Sequence, residues 1–207
     1  MQKNVAEATD FVKQCPRRLG TLTTLGRQPP EQPVRVFCED DSRLGLHLPI
    51  HRRLTGSGVQ PVQIVEPLDE SSWLYAAVEP TSGEAFWWEL PRLDAACFTV
   101  FLRQFGQHSA DSLNIVLLDQ APAHGAQRVE VPENVILVWL PAYSPELNPV
   151  ERLWEDLKRR MDVLDTRVRS SLAALQEHVA GLIHRYTAET IASLTGYAYL
   201  VEAINAL

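Results

Sequence analysis

Two apolar runs, each ending in acidic residues, determine which architecture this chain can adopt. NIVLLD (114–119) is a continuous apolar run before an acid, which is typical of a strand buried inside a sheet. VRVFCED (34–40) is a shorter β-rich run that also ends in acids. In open α/β sheets, sites form at the carboxyl ends of the strands. We therefore expect Asp40 and Asp119 to share that edge of the sheet.

Strand patterns precede helix patterns along the rest of the chain. We predict further strands at 44–50, where the run could pair with 34–40, at 62–66, 72–79 and 84–89, and at 134–140, another apolar run typical of a buried central strand. The turn Thr81-Ser82-Gly83 makes the third and fourth of these a hairpin. Helical spacing is found in 3–14, in 94–107 and from 148 onward, whereas the Pro-, Gly- and Thr-rich residues 16–33 suggest a linker. These elements predict an α/β fold with a mixed sheet and a helical C-terminal segment.

Composition limits the class of protein. A chain of 207 residues is long enough for one domain with a sizeable core. It has no apolar run near the roughly 20 residues that span a bilayer, no secretory signal, and an odd set of three cysteines that fits a reducing cytosol. Its net charge of −7 is unusual for a protein that binds DNA phosphates. The acidity lies in residues 61–150, with 12 acidic and 3 basic side chains, as in a catalytic core whose DNA-binding module lies elsewhere.

Three motifs carry the functional signal. They are CEDDSRLGL (38–46), LLDQAPAH (117–124) and LPAYSPELNPVERLWEDLKRR (140–160). In this order, over about 34–161, they resemble the DDE transposases of the mariner-like insertion-sequence superfamily. In that family an Asp-acid pair ends the first strand, an Asp-Asn-Ala-Pro-x-His turn follows, and Tyr-Ser-Pro-x-Leu-Asn-Pro-x-Glu leads into the catalytic helix. Gln120 replaces the usual Asn, and Asp41 stands where many members have Glu.

The resemblance implies an RNase H-like fold: a mixed sheet flanked by helices. It divides the chain into an N-terminal helix and linker (1–33), a catalytic domain (34–165) and a helical extension of the same domain (166–207). By position, the catalytic and metal-binding acids are Asp40, Asp119 and Glu151. They would hold two Mg²⁺ or Mn²⁺ ions for DNA strand cleavage and strand transfer. Hard oxygen ligands suit Mg²⁺, and two metals can activate the nucleophile and stabilise the leaving oxygen.

Each acid has an alternative interpretation. Glu151 falls where a glutamate closes a capping box behind Asn148. Asp119 could form a turn at the end of its strand. Glu39 or Asp41 could replace Asp40 as the ligand, although side chains alternate along a strand, so Asp40 and either neighbour point to opposite faces.

Further residues are candidates for DNA contact. They are Arg43, His124, Tyr143, Lys158 and Arg159, with Arg52, Arg53, Ser144 and Arg160 as weaker candidates. Exposed basic residues are usually only solvated. His124 could instead make a local hydrogen bond, and Tyr143 could instead shape the approach to the helix.

The implied partners are DNA, as transposon ends and target, and a second copy of the chain in a homodimer. The 1–33 segment is too short for a pair of helix-turn-helix units, so we expect a separate N-terminal half that binds DNA. We expect the protein in the cytoplasm, at the nucleoid when DNA-bound, and not in a membrane. Two other functions remain open: a catalytically silent remnant that pairs with a transposase, and an RNase H-like nuclease that cuts RNA–DNA hybrids or Holliday junctions.

Overall fold

The architecture is a mixed sheet between helices, seen in a computed structural model that describes residues 4–26, 32–46, 70–124, 128–162 and 171–207. Its elements are α1 (Val5–Gly26), β1 (Val34–Gly45), β2 (Ser71–Val78), β3 (Ala85–Leu90), α2 (Ala95–His108), β4 (Leu113–Leu118), β5 (Val135–Trp139), a 3₁₀ turn (Pro145–Leu147), α3 (Val150–Asp162), α4 (Leu172–Ile183), α5 (Ala188–Thr195) and α6 (Ala198–Asn205).

The five strands lie in the order β3-β2-β1-β4-β5. β1, β2 and β3 are antiparallel neighbours, whereas β4 and β5 run parallel to β1. This confirms the predicted mixed sheet. Cys38 lies opposite Leu117, so Asp40, which lies within β1 rather than at its end, is level with Asp119, which follows β4.

Alternating side chains place a hydrophobic core on each face of the sheet. Val36 and Cys38 of β1 face a core completed by α1 and α3–α6. Phe37 faces the other side, where α2 packs its aromatic residues Phe98, Phe101 and Phe105. Burial on both faces explains why β4 is a continuous apolar run.

Several predicted elements are confirmed. The hairpin is β2 and β3, the 94–107 pattern is α2, and the apolar run at 114–119 is the buried strand β4. The run at 134–140 forms strand β5, but the prediction that it is a buried central strand was wrong, because β5 lies at the edge of the sheet and only Val135 of it is buried. The Asp94 side chain caps α2 by accepting a hydrogen bond from the backbone N–H of Cys97 at 2.9 Å. The predicted strand at 62–66 and the loop at 51–61 lie outside the described residues.

Two other predictions were wrong. Residues 16–26 are not linker, because α1 continues through Pro16 to Gly26. Its apolar stripe of Ala8, Phe11, Cys15 and Leu19 is buried in the core, and this burial outweighs the local preferences of proline and glycine. Residues 44 and 45 do not begin a second strand, because β1 runs straight through to Gly45 and pairs with β2. Residues 47–50 lie outside the described part of the chain.

No helix among the described residues is both long and apolar enough to cross a membrane.

Candidate active site

Three acids from three elements line one cavity at the carboxyl edge of the sheet. Asp40 comes from β1, Asp119 directly follows β4, and Glu151 lies in the first turn of α3. The cavity has a volume of about 660 Å³, and the 140–145 segment forms much of its wall. The fold therefore brings the predicted acids to a common site.

The strand register explains the position of Asp40. β1 places Asp40 on the same face as Cys38, which is the face that α3 covers. Its side chain accepts a hydrogen bond at Oδ2 from Nε1 of Trp154, at 3.0 Å. Burial, with the charges of Glu151 and Glu39 nearby, raises the pKa of Asp40 well above its usual value.

The start of α3 is fixed against β1 by Asn148. Its Oδ1 accepts from the backbone N–H of Val150 at 3.2 Å, and its Nδ2 donates to the backbone carbonyl of Glu39 at 2.8 Å. One buried side chain therefore links the helix that carries Glu151 to the strand that carries Asp40. A capping glutamate would bond the backbone N–H of Asn148, but that group donates to Pro145 O at 2.9 Å. The structure therefore leaves the Glu151 carboxylate at the cavity rather than in a capping box.

Asp119 is held through one oxygen. Its Oδ1 accepts from the backbone N–H of Ala121 at 2.9 Å and lies 3.0 Å from Nδ1 of His124. Burial opposes ionisation of Asp119, but these two hydrogen bonds outweigh it and lower the pKa. Both hydrogen bonds from described residues fall on Oδ1, so Oδ2 has no hydrogen-bond partner among those residues.

The neighbours of Asp40 face the opposite side of the sheet. Glu39 is fully buried, and the Asp41 carboxylate lies against His124, with 3.4 Å between Asp41 Oδ2 and His124 Nε2. Glu39 Oε2 is 3.9 Å from the same nitrogen. Of the three consecutive acids, Asp40 alone lines the cavity.

His124 corrects one expectation. We expected it at the DNA, but its side chain is fully buried, with its ring 4.4 Å from the ring of Phe98. The alternative, a local hydrogen bond, holds instead, because the ring bonds Asp119. Burial disfavours the charged ring, but the hydrogen bond to Asp119 and the nearby carboxylate of Asp41 outweigh this and raise the pKa of His124 to about 11. Burial raises the pKa of Glu39 to about 8.

The donor set of the cavity suits a hard cation. Burial raises the pKa of Glu151, and the charges of Glu155 and Asp119 add to it against the effect of Lys158. Carboxylates that repel one another in this way are stabilised by a divalent ion. Within the described ranges, however, no three histidine, cysteine, aspartate or glutamate side chains stand close enough to hold a metal ion. The three acids share a cavity without forming a closed coordination shell.

Comparison with known proteins identifies the family. A model of the DDE superfamily endonucleases matches residues 35–172, which is most of the chain and includes all three acids. The chain belongs to the DDE superfamily endonuclease family.

Solved DDE structures share its fold. The Mos1 strand transfer complex contains a chain that is 14% identical, with a TM-score of 0.63 over 100% of this chain and 62% of that one. The Mos1 mariner paired end complex with Mn gives 15% identity and a TM-score of 0.65, over 95% of this chain and 60% of that one. These likenesses establish the RNase H-like transposase fold.

A curated relative is the uncharacterized protein y4pE/y4sA of Sinorhizobium fredii (strain NBRC 101917 / NGR234). It is 36% identical over 88 residues, which cover 42% of this chain and 65% of that protein. This DDE chain therefore spans less than two thirds of the length of these relatives.

The other predicted contact residues are distributed unevenly around the candidate site. Tyr143 lines the cavity and is 56% exposed, with a positive φ of 56° that turns the chain toward α3. Lys158 is exposed and is close enough to Glu151 to lower its pKa. Arg159 is exposed but pairs with Asp156 at 3.2 Å, and Arg43 is exposed on β1 outside the cavity lining. Arg52 and Arg53 lie outside the described residues.

Sequence patterns did not reveal two contacts at the candidate site. The helical spacing of Trp154 predicts only a core position; the side chain is buried there, but it also donates to Asp40. Gln120, where the family usually has Asn, donates through Nε2 to the backbone carbonyl of Leu140 at 2.9 Å. Neither pairing has a local signature, because the partners are 114 and 20 residues apart in the sequence.

Proposed function

We propose that this domain catalyses metal-dependent DNA strand cleavage and strand transfer at transposon ends. The observation that carries the proposal is that Asp40, Asp119 and Glu151 line a single cavity. The family match supports a nuclease, and the shared fold with Mos1 supports a transposase. Solved Mos1 structures include paired-end complexes with Mn, with Mg and with the left transposon end, which supports divalent metal, DNA and a paired assembly as partners here.

Each acid has a defined part in the proposal. Asp119 would bind a cation through Oδ2, because Oδ1 is already bonded to His124 and Ala121. Asp40 would use Oδ1, because Trp154 occupies Oδ2. Glu151 would add a third carboxylate from α3. When bound, Mg²⁺ or Mn²⁺ activates the attacking oxygen and stabilises the leaving oxygen of the phosphodiester.

The surroundings of the site suit a DNA strand at the cavity mouth. Tyr143 presents an exposed ring there, and aromatic rings stack on nucleobases. Lys158 adds a positive charge near Glu151. Since the middle of the chain is acidic, we propose that sequence-specific end recognition is provided by a separate helix-turn-helix half, and that a homodimer brings two ends together.

Plasmid nicking with matched aspartate variants tests the proposed function. Supercoiled plasmid carrying the ends of the element is incubated with the protein and millimolar Mn²⁺, with and without the DNA-binding half. We expect Asp119→Asn to reduce nicking to background while the variant still unfolds cooperatively in urea. Asp111→Asn, at an exposed acid in the turn before β4, should cut as the wild type does. Equal nicking by wild type and Asp119→Asn would overturn the site assignment.

A catalytically silent remnant that binds and regulates a transposase is the second candidate. The absence of a metal-holding cluster among the described side chains favours it. Calorimetric titration with Mn²⁺ separates the two, because a ligand that binds the native state releases or absorbs heat and raises the thermal midpoint. If millimolar Mn²⁺ produces no heat of binding and no rise in the thermal midpoint, the result favours the remnant.

A further inference from the structure

Glu39 is an acidic residue in the core, at a position where packing alone does not require an acid. It is fully buried, and both carboxylate oxygens lack a hydrogen-bond partner among the described residues. Such burial is costly, and an apolar residue would pack readily beside Phe37 on this face. The side chain nearest to the buried Glu39 carboxylate that could offset this cost is His124. Its Nε2 also has no hydrogen-bond partner among the described residues.

The imidazole of His124 is enclosed on every side that the structure describes. Phe98 packs against the ring face, Nδ1 is bonded to Asp119, and Nε2 faces Asp41 and Glu39. Carboxylate oxygens therefore lie at both nitrogens. A ring turned by 180° would lose the 3.0 Å contact to Asp119 Oδ1. The buried acids consequently favour one ring orientation.

Few described contacts other than the His124 ring hold Asp119. Its side chain is 54% exposed, and it follows the last residue of β4 rather than lying within the strand. Besides His124, its one other side-chain hydrogen bond in the described chain comes from the N–H of Ala121. The ring therefore holds Oδ1 of Asp119, an oxygen that also accepts from Ala121.

We propose that His124 is a positioning residue that holds Asp119 through Nδ1, and that Glu39 and Asp41 fix the orientation of its ring. The proposal rests on the proposed function, since positioning Asp119 matters only where Asp119 binds a cation. Residues that orient metal ligands in this way typically change metal affinity about 10- to 100-fold when replaced.

Two replacements of His124 distinguish positioning from packing. Asparagine places an amide near the position of Nδ1, whereas glutamine places it near the position of Nε2. We expect His124→Gln to weaken Mn²⁺ binding of the full chain about tenfold by calorimetry, and His124→Asn to bind within about threefold of wild type. A role limited to packing predicts the reverse order, because glutamine fills the space better. Equal Mn²⁺ affinity in both variants would overturn the proposal.

A second readout needs no metal. The ¹³C signal of the Asp119 carboxyl, assigned with Asp119→Asn, should shift in His124→Gln and stay near the wild-type position in His124→Asn. The same signal should shift in Glu39→Gln, which serves if a His124 variant fails to fold. If the wild-type chain binds no Mn²⁺, the proposed function is rejected. The Asp119 carboxyl signal would still show whether His124 positions Asp119. An Asp119 carboxyl signal that is unchanged in all variants would overturn the positioning role of His124.

Discussion

Trp154 combines a packing role and a polar role in one side chain. Its ring packs edge-on against Trp87 with 5.6 Å between ring centroids, and it is 1% exposed. Its Nε1 donates to Asp40, so the indole N–H finds a partner in the core, as buried tryptophans usually do. Asp40 and Asp119 thus share one feature: a buried side chain forms a hydrogen bond with one oxygen of each acid.

Trp154→Phe should separate these two roles. Phenylalanine keeps an aromatic ring in the core but leaves Asp40 without its donor. We expect the variant to bind Mn²⁺ about tenfold more weakly by calorimetry, as for other residues that orient metal ligands. Trp87→Phe is the control, because it removes a comparable ring from the same core cluster. Equal Mn²⁺ affinity in the two variants would show that the indole N–H is unimportant for the site.

At the scale of elements, α3 is anchored at more than one point. Asn148 links its start to β1, and Asp156 in its middle accepts from the hydroxyl of Tyr186 at 2.7 Å and from Nε of Arg160 at 2.6 Å. Tyr186 precedes α5, so Asp156 joins the helix of Glu151 to the C-terminal helices. The orientation of Glu151 therefore depends on contacts made far from the cavity.

Asp156→Asn should reduce the dependence of the free energy of unfolding on pH in the acid range. Burial opposes ionisation of Asp156, but the bonds to Tyr186 and Arg160 outweigh it and lower the pKa below the usual 3.8. The stabilisation is therefore present above the unfolded-state value and is lost as the pH falls through the folded-state value. Urea unfolding between about pH 2 and pH 7 measures this, with Glu177→Gln at an exposed position of α4 as control. Parallel profiles for wild type and Asp156→Asn would contradict the prediction.

Across the whole molecule, the β2–β3 turn lies directly against the C-terminal helices. Gly83 has a φ of 75°, and a Cβ there would lie 1.8 Å from the backbone oxygen of Ala188 in α5. The N-terminal helix α1 packs against the C-terminal helix α6. The sheet and both ends of the described chain thus form one packed unit around the site.

Gly83→Ala should destabilise the whole fold. The substitution strains the positive φ and forces the turn away from α5, so we expect it to lower the free energy of unfolding by more than about 1 kcal/mol. Gly181→Ala is a matched control, because Gly181 lies exposed in α4 and an added Cβ would meet nothing within 4 Å among the described residues. Removing a helical glycine there should stabilise by about 0.5–1 kcal/mol. Urea unfolding of both variants checks the opposite signs.

Local patterns in the sequence predicted most of the elements, and the motifs predicted which acids lie together. Apolar runs predicted β4 and β5, the turn at Gly83 predicted the hairpin, and motif order predicted that Asp40, Asp119 and Glu151 belong to one site. Strand alternation also predicted that Asp40 and its acidic neighbours face apart. The strands, the hairpin and the alternation depend on side chains a few residues apart, whose geometry the backbone sets directly, whereas the grouping of the three acids was implied by the family resemblance.

Only the tertiary structure decided what surrounds those acids. The length of α1 beyond Pro16, the burial of His124 and the bond from Trp154 to Asp40 all depend on surfaces contributed by distant segments. Local propensity is weak compared with the burial of an apolar face, so proline and glycine suggested a linker where packing maintains a helix. The sequence by itself determined which acids this protein brings to its site, whereas packing determined which oxygens of those acids remain available.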